Sequence, residues 1–259
     1  MKPTAYPELN AVLAELVDGA RATLGDDFCG AYLHGSFATG DADEFSDVDF
    51  VIVTHDEVTS DQLHGLQLLH RRLFALESPW AQHLEGSYVP RRALRQMDWS
   101  HRSFLFLDNG ANELVRDAHC NTAVVRWLLR ERGVILAGPH PAGLVDPITP
   151  SDLQREARAR IQEYAAWAYE LSAMSRWQQP YLVLTFCRLL FTLATGRVAA
   201  KREAGEWAVD SLAAEWAPLV HRALADRANP WERVAQPAEH EAAELTVAFA
   251  DYAADRAGH

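Results

Sequence analysis

Asp47 and Asp49 stand one residue apart in the stretch LHGSFATGDADEFSDVDFVIV, residues 33 to 53, inside an otherwise apolar run. Side chains of a strand alternate between faces, so the two carboxylates share one face and Val48, Phe50 and Ile52 share the other. Two like charges so close repel each other unless a cation lies between them. Mg²⁺ suits the pair, because it takes hard oxygen ligands and keeps places for water and substrate phosphates. One or two such ions would orient a nucleoside triphosphate and stabilise charge on departing pyrophosphate. An isolated Asp-x-Asp is common on solvated edges. The reading therefore rests on what precedes the pair.

What precedes it is an apolar segment, CGAYLHG, that ends in Gly35-Ser36. Gly35 lets backbone approach a ligand closely, and Ser36 offers a hydroxyl and an amide proton. Together they make a candidate phosphate cradle. Ser46, just before the aspartates, adds a further donor. His34 sits beside the cradle and reads as a structural histidine. His34, His83 and His101 have no metal-ligand spacing.

These residues need a scaffold. Apolar positions at helical spacing mark a helix over about residues 7 to 25. CGAYLHG and SDVDFVIVT read as strands, SDQLHGLQLLHRRLFALE as a capped helix, and AQHLEGSYV as a third strand. Residues 90 to 120 give no regular pattern and read as packed but irregular. NTAVVRWLLRERG is a helix closed by Gly133, and VILAG a short strand. From Gly138 to Asp152, four prolines and two glycines in fifteen residues mark a boundary. Beyond it, about five helices follow, roughly 151–174, 179–195, 199–209, 212–226 and 237–256. The expected fold class is α+β, with a mixed-sheet domain over 1–150 followed by an all-α helical bundle over 151–259.

The net charge is −12, with 36 acids against 24 basic residues. A nucleic-acid binder needs a basic face, so a small cationic partner or a metal fits better than a polyanion. Cys29, Cys120 and Cys187 match neither a disulfide framework nor a zinc site. No apolar run reaches bilayer-spanning length and no signal peptide opens the chain, which makes a cytoplasmic location the expectation. A cleft between two domains suffices in a monomer, so a monomer or weak homodimer is expected.

The arrangement of hydrophobic-Gly-Ser, about ten residues, then Asp-hydrophobic-Asp resembles the signature of the nucleotidyltransferase superfamily. That resemblance implies that Asp47 and Asp49 hold Mg²⁺ and that a third acid stands on a neighbouring strand. Glu85 occupies its place, as general base or as a metal ligand. The stretch 181–212 and the linker before it resemble the helical domain of aminoglycoside (3'')(9) adenylyltransferases. Taken with the first motif, the likeness runs from about residue 8 to 226.

The family likeness implies transfer of AMP from ATP to a hydroxyl of a small, cationic, polyhydroxylated antibiotic, conferring resistance. Arg188 and Lys201 fall where the family contacts the nucleotide. As residues alone, they read rather as a buried ion-pair partner and a solvated helix residue. Family members that take streptomycin carry an acid where this chain has Trp177-Gln178-Gln179-Pro180. A glutamine lacks the charge a guanidinium prefers, which favours a spectinomycin-like acceptor over streptomycin. Trp99, Trp177 and Gln178 are the candidate acceptor contacts. Glu163, Trp167, Tyr169 and Glu170 are further cleft candidates, with bundle packing the plainer role for most of them. Two other functions fit the same residues: nucleotidyl transfer to another small molecule or a protein side chain, and non-catalytic binding of nucleotide or antibiotic.

Overall fold

The computed structural model describes residues 2–100, 102–170, 174–226 and 234–258. The chain divides into two compact units, one of residues 1–42 and 46–148, the other of 43–45 and 149–259.

The first unit opens with α1 (Pro7–Leu24), whose apolar stripe Leu9, Val12, Leu13, Leu16, Val17, Ala20 and Leu24 is buried. Next come β1 (Phe28–Leu33), the one-turn helix α2 (Gly35–Thr39), β2 (Val48–Thr54) and α3 (Ser60–Phe74). A capping box starts α3: the Thr59 hydroxyl accepts from the Gln62 amide, and the Gln62 side chain accepts from the Thr59 amide. Then follow α4 (Pro79–Gln82), β3 (Leu84–Pro90), α5 (Arg91–Arg95), β4 (Phe104–Leu107) and β5 (Leu114–Asp117). The unit closes with α6 (Ala123–Arg132), capped by the Thr122 hydroxyl, and β6 (Val134–Ala137).

The six strands form one mixed sheet in the order β5-β4-β3-β2-β1-β6. Only β2 and β3 pair in parallel; the other neighbours are antiparallel. Period two sorts the strand residues onto two faces. Ala31, Leu33, Val48, Phe50, Ile52, Leu84, Tyr88, Leu105 and Leu107 form one core with α1 and α3. On the opposite face, Tyr32, Val51, Val53, Val89 and Phe104 pack with Leu94, Leu129, Leu144 and Val145. Burying each such side chain contributes about 1.5–3 kcal/mol, so the centre of the sheet is held from both sides. The wholly buried Arg126 supports the second face: its guanidinium donates to the carbonyls of Ala93, Leu94 and Thr122, tying α6 to α5.

The second unit is helical: α7 (Pro150–Glu170), α8 (Gln178–Thr195), α9 (Lys201–Ser211), a 3₁₀ turn (Ala214–Trp216), α10 (Ala217–Asp226) and α11 (His240–Gly258). Leu182, Val183, Leu184, Phe186, Cys187 and Leu190 make α8 apolar nearly all round, the pattern of a central helix. It packs against α7, α9, α10 and α11. No helix among the described residues is long and apolar enough to cross a membrane.

The mixed sheet followed by a helical bundle is the expected α+β architecture. Several local expectations change. Residues 90–120 contain α5, β4 and β5 rather than irregular structure. The third strand begins at Leu84, because Pro79 starts a helical turn before it. The proline-rich stretch expected to mark a boundary is itself packed: Pro141, Leu144 and Val145 are buried, and Arg130 donates to the carbonyls of Ala142 and Val145. Residues 171–173, near the end of the expected helix 151–174, lie outside the described residues, as does His101.

Candidate active site

The sheet register sets the centre of the site. Asp49 on β2 is the direct partner of Glu85 on β3. Because the strands run parallel and in register, both carboxylates leave the sheet on the same face, about 5 Å apart at the backbone. The antiparallel pairing of β1 with β2 reaches Leu33 opposite Phe50, and the next residue, His34, donates its amide to the Asp49 carbonyl at 3.0 Å. His34, Asp49 and Glu85 therefore form one row across three central strands. Glu85 is no edge-strand charge, since β3 lies between β2 and β4.

Asp47 precedes the strand rather than standing in it, because β2 starts at Val48. Something else must hold its side chain, and Asn109 does. The Asn109 amide donates to Asp47 Oδ1 at 2.7 Å, while its carbonyl oxygen accepts from His83 Nδ1 at 3.0 Å. The loop carrying Asn109 is itself fixed by the Gly110 amide, which donates to the Gln82 carbonyl at 3.1 Å.

Gly35 and Ser36 begin α2 instead of lying in an open loop. Gly35 has φ +55°, and a Cβ there would lie 1.8 Å from Asp49 Oδ2. Glycine is thus required on two grounds, the left-handed backbone and the carboxylate pressed against it. The Ser36 hydroxyl is buried and has no protein partner. Nor has the buried Nε2 of His34. Burial pushes the His34 ring down to about 4, against the pull of Glu85, so it is neutral near pH 7. Ser46 lies partly buried before Asp47.

Glu85 Oε1 accepts from His119 Nε2 at 2.9 Å. The carboxylate is 14% exposed and the imidazole 52%. That bond, more than the opposing burial, raises the His119 pKa above the ordinary imidazole value. The ring stacks on Phe106 at 5.0 Å between centroids.

These contacts bear on Mg²⁺. The donor set of Asp47 and Asp49 is hard and anionic, and the side chain at position 35 has been omitted where it would fill the space beside Asp49. Among the described residues, no group of three or more His, Cys, Asp or Glu is arranged to hold a metal. The residues fit an ion bound by two carboxylates and completed by substrate oxygens, which is how Mg²⁺ is commonly held. His119 engages Glu85 Oε1 and leaves the second carboxylate oxygen for a proton or a metal.

The remaining candidates are placed as follows. Trp99 lies in the turn before β4, partly buried. In the helical unit, Trp177 stacks on Tyr181 at 5.1 Å, and Lys201 Nζ lies 5.8 Å from the centre of the same ring. Tyr164 and Trp167 complete this aromatic group, so Trp167 packs in the bundle. Tyr169 and Glu170 are exposed, and Glu163 pairs with Arg160. Arg188, at mid-helix in α8, is partly buried with its Nε lacking a partner. Gln178 serves the start of α8: its Oε1 accepts from the Ser175 amide, and its own backbone amide donates to Ser175 Oγ, the reciprocal pairing of a capping box. Gln179 is buried and donates to Thr246.

Sequence reasoning misses His119 and Asn109. A lone histidine in DAHCNT and an asparagine in LDNGAN look like turn residues, and only the strand register brings them to the acids.

Glycine pressed against one of two acids in strand register, next to a buried hydroxyl without a protein partner, is an arrangement that suits phosphate chemistry. Comparison with known proteins narrows this. The family model "Nucleotidyltransferase domain" matches residues 29–90, and "Aminoglycoside adenylyltransferase, C-terminal domain" matches 143–256. An aminoglycoside (3'') (9) adenylyltransferase of Shigella flexneri is 24% identical over 256 residues, covering 92% of this chain and 93% of the relative. One of Escherichia coli is 25% identical over 237 residues, covering 85% of each. A crystal structure of a spectinomycin adenyltransferase from Enterococcus faecialis, with ATP and spectinomycin, shares the fold with a TM-score of 0.71 at 16% identity. It covers 95% of this chain and 98% of that one. Over nearly its whole length the chain is similar to aminoglycoside (3'')(9) adenylyltransferases, with the nucleotidyltransferase model matching its first unit and the adenylyltransferase C-terminal model its second.

Proposed function

We propose that this enzyme transfers AMP from ATP to a hydroxyl of an aminocyclitol or aminoglycoside antibiotic, and so confers resistance. The observation that carries the reading is the register match of Asp49 and Glu85, with Gly35 pressed on the aspartate. A metal-holding acid and a base stand side by side, one for the phosphate and one for the attacking hydroxyl. The names of the relatives support the acceptor class, and the solved complex with ATP and spectinomycin supports the donor.

Glu85 takes the proton from the acceptor hydroxyl through the carboxylate oxygen not engaged by His119. The acceptor oxygen then attacks the α-phosphorus. The bond from that phosphorus to the bridging oxygen breaks, and pyrophosphate leaves. Asp47 and Asp49 would hold Mg²⁺, which offsets the charge developing on the phosphates. The buried Ser36 hydroxyl, which has no protein partner, supports a role as donor to a phosphate oxygen. Gly35 and Ser46 are further proposed nucleotide contacts, on the spacing of the motif. Arg188 and Lys201 are proposed nucleotide contacts on family likeness, and Trp99 and Trp177 proposed acceptor contacts. A spectinomycin-like acceptor is favoured, since Gln178 is uncharged and its carbonyl oxygen is already bonded to Ser175. Dependence on ATP makes the cytoplasm the expected compartment.

Pyrophosphate release with Mg²⁺·ATP and spectinomycin, streptomycin or no acceptor tests the reading. Glu85→Gln should lower turnover by about 10²–10⁴-fold while Mg²⁺·ATP still binds. Near-normal turnover in that variant removes Glu85 as the base. Release that no aminocyclitol or aminoglycoside stimulates rejects the acceptor class.

A further inference from the structure

We propose that His119 is a positioning residue for the reaction: its Nε2–H bond to Glu85 Oε1 fixes the orientation in which the second carboxylate oxygen meets the acceptor hydroxyl. The inference deepens the functional reading above and rests on Glu85 acting as the base.

The geometry argues for a built support rather than a chance surface pair. Glu85 is the more buried partner, at 14% exposure against 52% for the imidazole, so the bond is anchored at its inner end. Exposed ion pairs are usually worth little because both side chains must be ordered to form them. Here the ordering is supplied in advance. The His119 ring lies flat on Phe106, interplanar angle 22°, and Phe106 is itself only 4% exposed. The His119 amide donates to Asp117 Oδ1 at 2.7 Å. Next to it, Cys120 is buried, the Asn121 amide bonds the Ala118 carbonyl at 2.8 Å, and the Asn121 side chain bonds the Arg102 carbonyl at 3.0 Å. Thr122 then caps α6. The histidine is held by its ring, its own amide and the three residues that follow it.

Glu85 needs such a hold. A glutamate has three rotatable bonds, and a base displaced by about 1 Å forfeits up to about a hundredfold in rate. Nε2–H donates from the Nε2-protonated neutral tautomer as well as from the imidazolium, so the bond is available in both charge states of His119.

The test compares His119→Phe, which keeps the stack on Phe106 but loses the donor, with His119→Gln, whose side-chain amide reaches the position of Nε2. Both are assayed for pyrophosphate release with spectinomycin, for ATP KM and for Tm. His119→Phe should lower kcat by about 10–100-fold with ATP KM within about twofold of wild type and Tm nearly unchanged. His119→Gln should recover most of that loss. In a Glu85→Gln background, His119→Phe should cause no further fall, because the residue acts through the carboxylate. Wild-type kcat in His119→Phe overturns the proposal, as does a Gln variant no better than Phe, or an equal loss in the Glu85→Gln background. Should Glu85→Gln itself stay active, the base assignment fails first. Should Glu85→Gln be dead and His119→Phe fully active, only the role of His119 fails.

Discussion

Gly35→Ala and Gly40→Ala form a matched pair that separates backbone strain from displacement of a functional carboxylate. Both glycines have positive φ, +55° and +77°, and both border α2. At Gly40, an added Cβ meets nothing within 4 Å, so the substitution carries the left-handed strain alone. That strain is about 1–2 kcal/mol, or about 2–8 °C in Tm at roughly 2–4 °C per kcal/mol. At Gly35, the Cβ lies 1.8 Å from Asp49 Oδ2, 2.5 Å from its Cγ and 3.0 Å from its Cβ. Relief of the first contact moves the carboxylate by more than about 1 Å, the displacement that costs about 10²-fold in rate. Gly35→Ala should therefore lose at least about a hundredfold in pyrophosphate release and bind Mg²⁺·ATP more weakly by calorimetry. Gly40→Ala should keep its turnover to within about threefold, because its added Cβ meets no atom within 4 Å and its amide still caps α2. Turnover in Gly35→Ala within about threefold of wild type refutes the reasoning. Equal inactivation of the two variants does so as well, by tracing the loss to backbone strain.

Two more outcomes follow from contacts around the acids and within the core. Asn109→Leu removes the 2.7 Å donor to Asp47 and the acceptor for His83; a hydrogen bond to a charged group contributes about 1.5–3 kcal/mol, so Mg²⁺·ATP should bind about 10–100-fold more weakly by calorimetry. His70, buried and bonded to the Tyr88 hydroxyl at 2.8 Å, is pushed down to about 4 by burial, while an unfolded chain takes the proton near 6.5. The unfolded state then binds more protons between these values, so stability is full above about pH 6.5 and falls as pH drops toward 4. From about pH 7 to pH 5 the group should remove about 2 kcal/mol, read as a falling urea midpoint that His70→Gln reduces.

Legibility of the fold follows the strength of the periodic signal. β2 is plain because its apolar run is flanked by turn residues, and α8 because it is apolar nearly all round. β4 escapes sequence reasoning although FLFL is an apolar run; four residues carry too little pattern to separate a strand from packed loop. β5, with its last three residues exposed, shows no alternation, and its existence is owed to pairing with β4. For the site, the aspartates declare themselves because two acids interrupt a hydrophobic segment. Gly35 is readable as permissive backbone, whereas its closeness to Asp49 emerges only from the three-dimensional fold. Asn109 and His119 are invisible for the opposite reason: each is an ordinary turn residue, and its meaning comes from tertiary neighbours distant in sequence.

Asn109 and His119 flank the two ends of β5, a strand four residues long that pairs on one side only. The backbones of Asp49 and Glu85 are fixed by the pairing of two interior strands, whereas the side chains of Asp47 and Glu85 take their aim from Asn109 and His119. Tuning is thereby delegated to the margin, where an insertion or deletion beside β5 would re-aim either acid separately. Changes in the turns around one short outer strand would therefore act on the aim of Asp47 and of Glu85 while the sheet that carries the site stays intact.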